Sequence, residues 1–418
     1  MGNLYKYIVV MAAGLMPLAA GAAEPAPGAS YAGLLDWLQA HNPELQAARL
    51  ESDAAAQQAE AAGALPDPSV RIEWRDVNQA GGTTLDPNRV GGMKYTVLQP
   101  IPGWGKRSAQ RQVAGASAEM AQAQARAVEA ELRARLRLVF AQYYRAAQAL
   151  QLNGELTNFA VSAAQQAQAR YENGLASQGE WTKARLEQSA LENERFGLEA
   201  EQRRVQARLN ALLNRDSMAP LAEPQALPDL PAPLPDEAEL QRRLQAHNPQ
   251  LQGQVAQSAA AAGEADLAKR NLTPDFILAA GPTQARNGGR NWDAMLEFTV
   301  PLQFGAHHAH RHEAENRLEA SRAREQALAQ ELRAQLSEHA AAARAAEGQL
   351  QLARKQTLPL AELAFKSVLL NYQNGRADYA ALWMARRELQ QARLNALDAQ
   401  VAQQMHWAEI ERLTGETR

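Results

Sequence analysis

Four closely spaced histidines are the side chains in this sequence best suited to bind a metal ion. They open the second of two predicted long helices and stand at His307, His308, His310 and His312. On a helix, His308 and His312 lie one turn apart on the same face, so the two imidazoles can share one divalent ion, and imidazole suits zinc, nickel and copper. Glu313 follows the cluster, but no aspartate or cysteine lies beside it. A solvated or packed histidine run without a ligand role is the alternative interpretation.

No catalytic motif is indicated by the other residues. Gly105 and Lys106 match the glycine-lysine pair of a phosphate-binding loop, but that motif requires glycine where Pro100 stands and serine or threonine where Arg107 stands. The chain has no cysteine, which removes disulfides, thiolate metal sites and lipidation on a cysteine. The formal net charge of -3 is too small to indicate a nucleic-acid partner. We therefore expect a protein that is not an enzyme and needs no cofactor.

The composition favours long helices in close contact over several compact mixed domains. Of the 418 residues, 46% are hydrophobic but only 6% are aromatic, and alanine, leucine, glutamine, glutamate and arginine are abundant. These are strong helix formers, and they leave few bulky side chains to fill a thick core.

The first 23 residues resemble a secretory signal. Lys6 precedes an apolar stretch from Ile8 to Ala23 that is broken by Pro17 and ends in small residues. The stretch is too short and too interrupted for a membrane-spanning helix, which needs about 18 or more apolar residues. We therefore expect residues 1–23 to be removed on export.

The sequence contains two copies of one unit. LQAHNPELQ at 38–46 returns as LQAHNPQLQ at 244–252, and further matches follow in the same order at an offset of about 200 residues. Self-similarity of this kind indicates a duplicated structural unit. We assign the first repeat to 24–215 and the second to 237–418, joined by an extended proline-rich linker at 216–236.

Each repeat is predicted to run helix, strand, strand, long helix, turn, helix. The repeated motif supplies a helix start, with Asn42 or Asn248 as the N-cap and proline at the first helical position. The preceding residues, His41 and His247, could be paired metal ligands, but we assign them to a corner between two helices.

Two predicted hairpins, at 67–101 and 274–301, alternate apolar and polar residues as amphipathic strands do. The strand that starts at Phe276 is more apolar and is expected to end at Gly281 and Pro282. The apolar face carries Trp74, Tyr95, Trp292 and Phe298. The polar face carries Arg71, Glu73, Arg75, Lys94, Asp293 and Glu297.

Four strands are too few to close a membrane barrel. Single-chain bacterial barrels start at about eight strands, and an open sheet edge is not tolerated in lipid. If the hairpins enter a membrane, the strands of several copies of the chain must therefore form one barrel together. A small soluble β-layer with the aromatic residues in its core is the alternative.

The helices are unusually long and end in a repeated turn. No proline interrupts the chain from Ser108 to Arg170, which predicts one continuous helix. The corresponding helix of the second repeat contains Pro359, which we expect to kink or restart it. Both helices end at a tyrosine, two residues and a glycine, at 171–174 and 372–375, where glycine permits the left-handed geometry of a helix stop.

Two stretches of the sequence resemble a known family. QPIPGWGKR at 99–107 is similar to the strand-to-helix junction of the TolC family of outer-membrane efflux channels, especially in the branch that exports cobalt, zinc and cadmium. LPLAELAFKSVLLNYQNGRADYAALW at 358–383 is similar to the segment that runs from a proline to the periplasmic tip in that family. The duplicated order of motifs agrees, so the resemblance covers the whole mature chain.

The resemblance implies a mainly α protein with a small β part. Long antiparallel helical hairpins would form a periplasmic α-barrel, and four strands per chain would enter a shared transmembrane β-barrel in the outer membrane lipid. Such a homotrimer is a passive conduit, which would receive divalent heavy-metal cations from an inner-membrane pump through a periplasmic adaptor. The polar strand residues would line the barrel lumen. Adaptor docking and gating would fall to Tyr171, Gly174, Leu175, Ser177, Tyr372, Gly375, Arg376 and Asp378.

The chain departs from the best-known family member at the narrowest point of the channel. That protein has aspartates one to two turns after the second tip glycine, where this chain has Ala381 and Met384. A charge gate near Asp378 would therefore be shifted or weaker. Two other functions stay open: the same channel serving drugs, solvents or secreted polypeptides, and a periplasmic helical scaffold or adaptor that has no barrel.

Overall fold

The structure is a computed structural model that describes residues 27–78, 83, 85–87, 90–230, 233–286 and 288–415. The predicted signal sequence at 1–23 lies outside the described residues. The first repeat contains α1 (Tyr31–His41), α2 (Pro43–Ala61), β1 (Ser69–Arg75), β2 (Gly92–Ile101), α3 (Lys106–Glu172) and α4 (Gln178–Leu212). The second contains α5 (Glu237–His247), α6 (Pro249–Arg270), β3 (Phe276–Ala285), β4 (Arg290–Phe298), α7 (Phe304–Leu352), α8 (Leu358–Gln373) and α9 (Tyr379–Thr414).

Each repeat opens with two helices rather than the single helix expected, because an asparagine-proline pair ends one helix and starts the next. Asn42 accepts the backbone N–H of Leu45 at the start of α2 (3.0 Å), and its Nδ2 donates to the carbonyl of Leu212 at the end of α4 (2.9 Å). Asn248 makes the equivalent bonds at the start of α6 and the end of α9. One buried side chain thus joins three helices in each repeat.

The histidines of the repeated motif belong to this corner. Asn214, two residues after α4, and Gly415, directly after α9, both adopt left-handed backbone with φ of 54° and 68°. The Asn214 side chain donates to the carbonyl of His41. A Cβ at Gly415 would lie 2.3 Å from the carbonyl oxygen of His247, so only glycine fits there. The assignment of both histidines to a helix corner is confirmed.

The longest helix is the axis on which both repeats pack. α3 has 67 residues, which corresponds to about 100 Å at 1.5 Å per residue. It packs against α2, α4, α6 and α9. Ala109, Ala116 and Ala123 are buried at a seven-residue spacing, and side chains of this size allow close helix packing. The abundance of alanine in the sequence therefore has a structural cause. In the described part of the chain, no helix combines the length and the apolar character needed to cross a membrane.

The second long helix is interrupted beside its proline. α7 ends at Leu352, a turn of π-helix spans Ala353–Thr357, and α8 begins one residue before Pro359. Proline has no N–H for the preceding turn and its ring needs space, so the wider turn accommodates it. The prediction that Pro359 restarts the helix is confirmed.

The segment between the repeats lies along one long helix from each of them. Tyr143 of α3 donates its hydroxyl hydrogen to the carbonyl of Ala222 (3.1 Å). Gln404 of α9 donates to the carbonyl of Pro228 (2.5 Å). The described part of the segment therefore contacts both repeats.

The four strands form one antiparallel sheet in the order β1-β2-β3-β4, so β2 and β3 join the hairpins of the two repeats. The expected end of the third strand at Gly281 and Pro282 is wrong, because β3 continues to Ala285. The pairing of β2 with β3 is interrupted opposite these two residues, since Pro282 has no N–H to donate, and it resumes beyond them. A Cβ at Gly281 would lie 1.7 Å from the carbonyl oxygen of Tyr95, so the two strands approach here as only glycine permits.

Candidate functional site

The register of the sheet places the predicted charged residues on one face and the predicted aromatic residues on the other. Glu73 lies opposite Lys94 in the pairing of β1 with β2, and the six charged residues predicted for the polar face all share one side. Lys94 Nζ lies 3.2 Å from a carboxylate oxygen of Asp293, which also accepts the hydroxyl hydrogen of Thr283 (2.6 Å). The polar face therefore carries a bonded network across β2, β3 and β4.

The opposite face is apolar and exposed. It carries the four aromatic residues predicted for it: Trp74, Tyr95, Trp292 and Phe298. All four are exposed, and the side chains beside them include the exposed Val97, Leu278 and Leu296. A sheet with one exposed apolar face is costly in water, since burial of apolar surface contributes roughly 25 cal/mol per Å².

An ion pair between the buried Lys106 and the half-exposed Asp275 fixes the junction between sheet and helix. The carboxylate of Asp275, just before β3, accepts the backbone N–H of Gly103 (2.7 Å) and a hydrogen from Lys106 Nζ (2.8 Å). Burial opposes ionisation of Asp275, but these two hydrogen bonds outweigh it and hold the pKa of the carboxyl below its usual value. Because Gly103 and Lys106 belong to the first repeat, this contact holds α3 at a fixed angle to the second hairpin.

The two tips have the same backbone design. Gly174 and Gly375 both have φ of 71°, and the residue after each donates its N–H to a carbonyl five residues earlier, which closes the helix. Ser177 then starts α4 by accepting the N–H of Glu180 (3.3 Å). Asp378 starts α9 by accepting the N–H of Ala381 (2.8 Å). These two predicted gating residues are therefore helix caps.

The tyrosines of the two tips differ in burial although their local sequences match. Tyr171 is exposed and stacks on Trp181 at 6.3 Å between ring centroids. Tyr372 is buried, and the guanidinium of Arg170 lies 5.1 Å from its ring centroid. The remaining predicted tip residues, Leu175 and Arg376 among them, are exposed to solvent.

An aromatic cluster behind the second tip was not predicted from the sequence. Tyr379 and Trp383 of α9 stack on each other, and Trp383 stacks on Phe159 of α3. Burial, followed by the charge of Glu187, raises the pKa of Tyr379 to about 12. The cluster packs the helical hairpin of one repeat on that of the other. A sequence signal existed: Phe365, Tyr372 and Tyr379 recur at seven-residue spacing.

A buried arginine lies at the edge of this cluster. The guanidinium of Arg386 is 5.6 Å and 5.8 Å from the rings of Phe159 and Phe365, and Nη1 has no hydrogen-bond partner. Among the described residues no carboxylate pairs with it. Burial, and then the charge of Arg393, lower its pKa. Contact with the rings offsets only part of the desolvation cost of such a cation, so this helix contact is weaker than its buried area suggests.

The four predicted metal-ligating histidines lie at the start of α7. His308, His310 and His312 are exposed. Nδ1 of His310 lies 3.4 Å from Glu313, and Nδ1 of His312 lies 3.4 Å from a carboxylate oxygen of Glu315. Within the described ranges, no three histidine, aspartate or glutamate side chains converge as a metal site requires. The metal role of this cluster stays a prediction.

The chain has long helical hairpins that end in tips, one set in each repeat. The hairpins are joined to a sheet with one apolar and one polar face. These are the features of an outer-membrane efflux channel. The chain belongs to the outer membrane efflux protein family, which matches residues 34–215 and 240–416, one match for each repeat. Members of this family are channels rather than enzymes. The protein is located in the outer membrane and extends into the periplasm, as expected from the resemblance.

Individual relatives support the same fold. The chain is 27% identical over 368 residues to the cobalt-zinc-cadmium resistance protein CzcC of Cupriavidus metallidurans, covering 85% of this chain and 82% of the relative. Its fold is similar to VceC of Vibrio cholerae, with a TM-score of 0.77 and 17% identity over 92% of this chain and 96% of that one. It is also similar to the open state of the Neisseria gonorrhoeae MtrE channel, with a TM-score of 0.74 and 16% identity over 93% and 89%. The predicted fold class is confirmed.

Proposed function

We propose that this channel exports divalent heavy-metal cations as the outer-membrane component of a tripartite efflux system. The observation that supports this substrate is the 27% identity to a protein named for cobalt, zinc and cadmium resistance, which extends over 85% of the chain. In this proposal the chain is a passive conduit without catalytic activity. An inner-membrane pump supplies the energy, and a periplasmic adaptor links the pump to the channel.

The working channel is a homotrimer in this proposal. Within the described part of the chain, β1 and β4 each pair with only one strand, so each leaves one edge of the sheet open. Open edges are not tolerated in lipid, so β4 of one copy pairs with β1 of the next to close a shared barrel. The apolar face then meets lipid. The polar face lines the lumen with Arg71, Glu73, Arg75, Lys94, Asp293 and Glu297.

The two tips dock the adaptor and control closure. Leu175 is 71% exposed and Arg376 is exposed at the corresponding position of the second tip, so these side chains are available to a partner. Ser177 and Asp378 act on closure indirectly, by capping the helices that begin at the tips. Gly174 and Gly375 set the turn, and Tyr171 and Tyr372 pack behind it.

The histidines at 307, 308, 310 and 312 act as a metal relay in this proposal. Three of them are exposed, and His308 with His312 has the one-turn spacing of a shared ligand pair. The test replaces all four with alanine and measures zinc binding to the purified channel and zinc resistance of cells. If both are unchanged, the relay is abandoned, while the channel function is unaffected.

The substrate is tested by deleting the gene and measuring growth on zinc, cobalt, cadmium, nickel, copper and a panel of antibiotics. We expect sensitivity to one or more metals, restored by the wild-type chain but not by Gly281→Val, which introduces a side chain where two strands touch. Unchanged metal tolerance with new antibiotic sensitivity would contradict metal export and favour a drug channel of the same architecture.

A further inference from the structure

An apolar groove lies where the sheet meets α3. It has a volume of about 490 Å³ and is lined by Ile101, Trp104, Phe276, Leu278, Leu296 and, at the helical end, Arg107. The strand residues among them all belong to the apolar face. The groove therefore extends the apolar face of the sheet as far as the first turn of α3.

A tryptophan forms the most exposed wall of this groove. Trp104 is 81% exposed, and its ring meets Phe276 edge-on at 5.8 Å between centroids. Trp104 lies in the loop between β2 and α3, at the level where the membrane-facing sheet passes into a periplasmic helix. Tryptophan is enriched at this level in membrane proteins because its ring is apolar and its N–H prefers a polar surrounding.

Arg107, which lines the groove, and Arg111, one helical turn further along α3, carry charge that no described carboxylate balances. Arg107 Nε donates to the carbonyl of Gly63 (2.7 Å), and Arg111 Nε donates to the carbonyl of Ala62 (3.4 Å). Neither arginine forms an ion pair with a described residue. The neighbouring Lys106, in contrast, is paired with Asp275. The end of the groove is therefore positively charged, whereas its length is apolar.

Another copy of the chain is a poor occupant for this groove. Copies that pair through the edges at β1 and β4 leave the outward side of the central strands free, and the groove lies over β2, β3 and the adjoining side of β4. The groove is continuous with a surface that faces lipid in an outer-membrane protein. Its occupant therefore has an apolar chain next to an anionic group.

We propose that the groove binds a glycerophospholipid from the periplasmic leaflet of the outer membrane. One acyl chain lies along Ile101, Leu278 and Leu296, and the phosphate lies near Arg107 and Arg111. The bound lipid fixes the depth at which α3 leaves the membrane. This inference depends on the outer-membrane location and on the proposed pairing of copies through β1 and β4, and not on the exported substrate.

The test is native mass spectrometry of delipidated channel in detergent, titrated with palmitoyl-oleoyl phosphatidylglycerol or with the matching diacylglycerol, which lacks the phosphate. We expect phosphatidylglycerol to bind in preference, and Arg107→Gln and Arg111→Gln each to weaken binding about fivefold, the effect of one basic residue at a lipid surface. Arg107→Lys should restore most of the affinity because it keeps the charge. Trp104→Ala should also weaken binding.

The matched control is Trp292→Ala, which removes a tryptophan of similar exposure (79%) on the same face but outside the groove. It should retain wild-type affinity. Equal binding of diacylglycerol and phosphatidylglycerol, or equal losses for Trp104→Ala and Trp292→Ala, would overturn the site and indicate general lipid adhesion. Zinc resistance is measured separately, so failure of the lipid site leaves the substrate proposal intact.

Discussion

The cap of α9 offers a way to separate a structural role of Asp378 from a role of its charge. The Asp378 carboxylate accepts the N–H of Ala381 at 2.8 Å. At the other tip Ser177 performs the same task with a neutral hydroxyl. Asp378→Ala removes both the cap and the charge, whereas Asp378→Ser removes the charge and keeps a cap of the type already present in the chain.

The two changes have different expected sizes. Loss of an N-cap costs about 1 kcal/mol, which increases the population of a frayed first turn about fivefold. Loss of a charge at an exposed helix start costs about 0.3 kcal/mol, less than a factor of two. If closure of the tip depends on an ordered first turn of α9, the Asp378→Ala channel should let a large antibiotic leak through. The Asp378→Ser channel should stay almost as closed as the wild type.

The assay is sensitivity to vancomycin in cells that lack the native channel and express each variant at equal level. Ser177→Ala is the matched control, because it removes the cap at the first tip without a change in charge. Leak of equal size through Asp378→Ser and Asp378→Ala would show that the charge controls closure. The absence of leak in both would remove Asp378 from the gate.

Three further predictions concern assembly, stability and pH. Gly281→Val should abolish assembled protein in the outer-membrane fraction, because its Cβ would meet the Tyr95 carbonyl; wild-type amounts would contradict this close contact. Asn248→Ala should lower the free energy of unfolding by about 2 kcal/mol in denaturant titrations, since it removes two buried hydrogen bonds; a change below about 0.5 kcal/mol would refute the corner. Burial, and then the charge of His339, lower the pKa of His406 below the ordinary histidine value of 6.5, so near pH 6.5 only the unfolded state takes up a proton. The contribution of His406 to the free energy of unfolding should be fully present above about pH 6.5 and be lost as the pH drops through the lower folded pKa. In thermal unfolding at several pH values, His406→Gln should lack this pH-dependent loss of stability.

Features that depend on local pattern could be predicted from the sequence. The repeated asparagine-proline pair indicated a helix start because N-cap chemistry involves only neighbouring residues. Pro359 indicated an interruption for the same reason. The alternation of strand residues assigned all six charged side chains to one face, since the strand period fixes side-chain direction.

Features that depend on contacts between distant segments could not be predicted. β3 continues beyond Pro282 because Gly281 allows a close approach to β2, and that partner is far away in the sequence. Tyr171 and Tyr372 stand in matching motifs, yet only Tyr372 is buried, because it packs against the hairpin of the other repeat. The unpaired charge of Arg386 likewise could not be predicted, because its surroundings are formed by side chains from three helices that are distant in the sequence.

The number of chains in the purified assembly tests the central claim most directly. Native mass spectrometry of protein extracted from the outer membrane in mild detergent should give three copies of the mature chain, because four strands with open edges must find partners before they enter lipid. A stable monomer that stays soluble without detergent would contradict the claim.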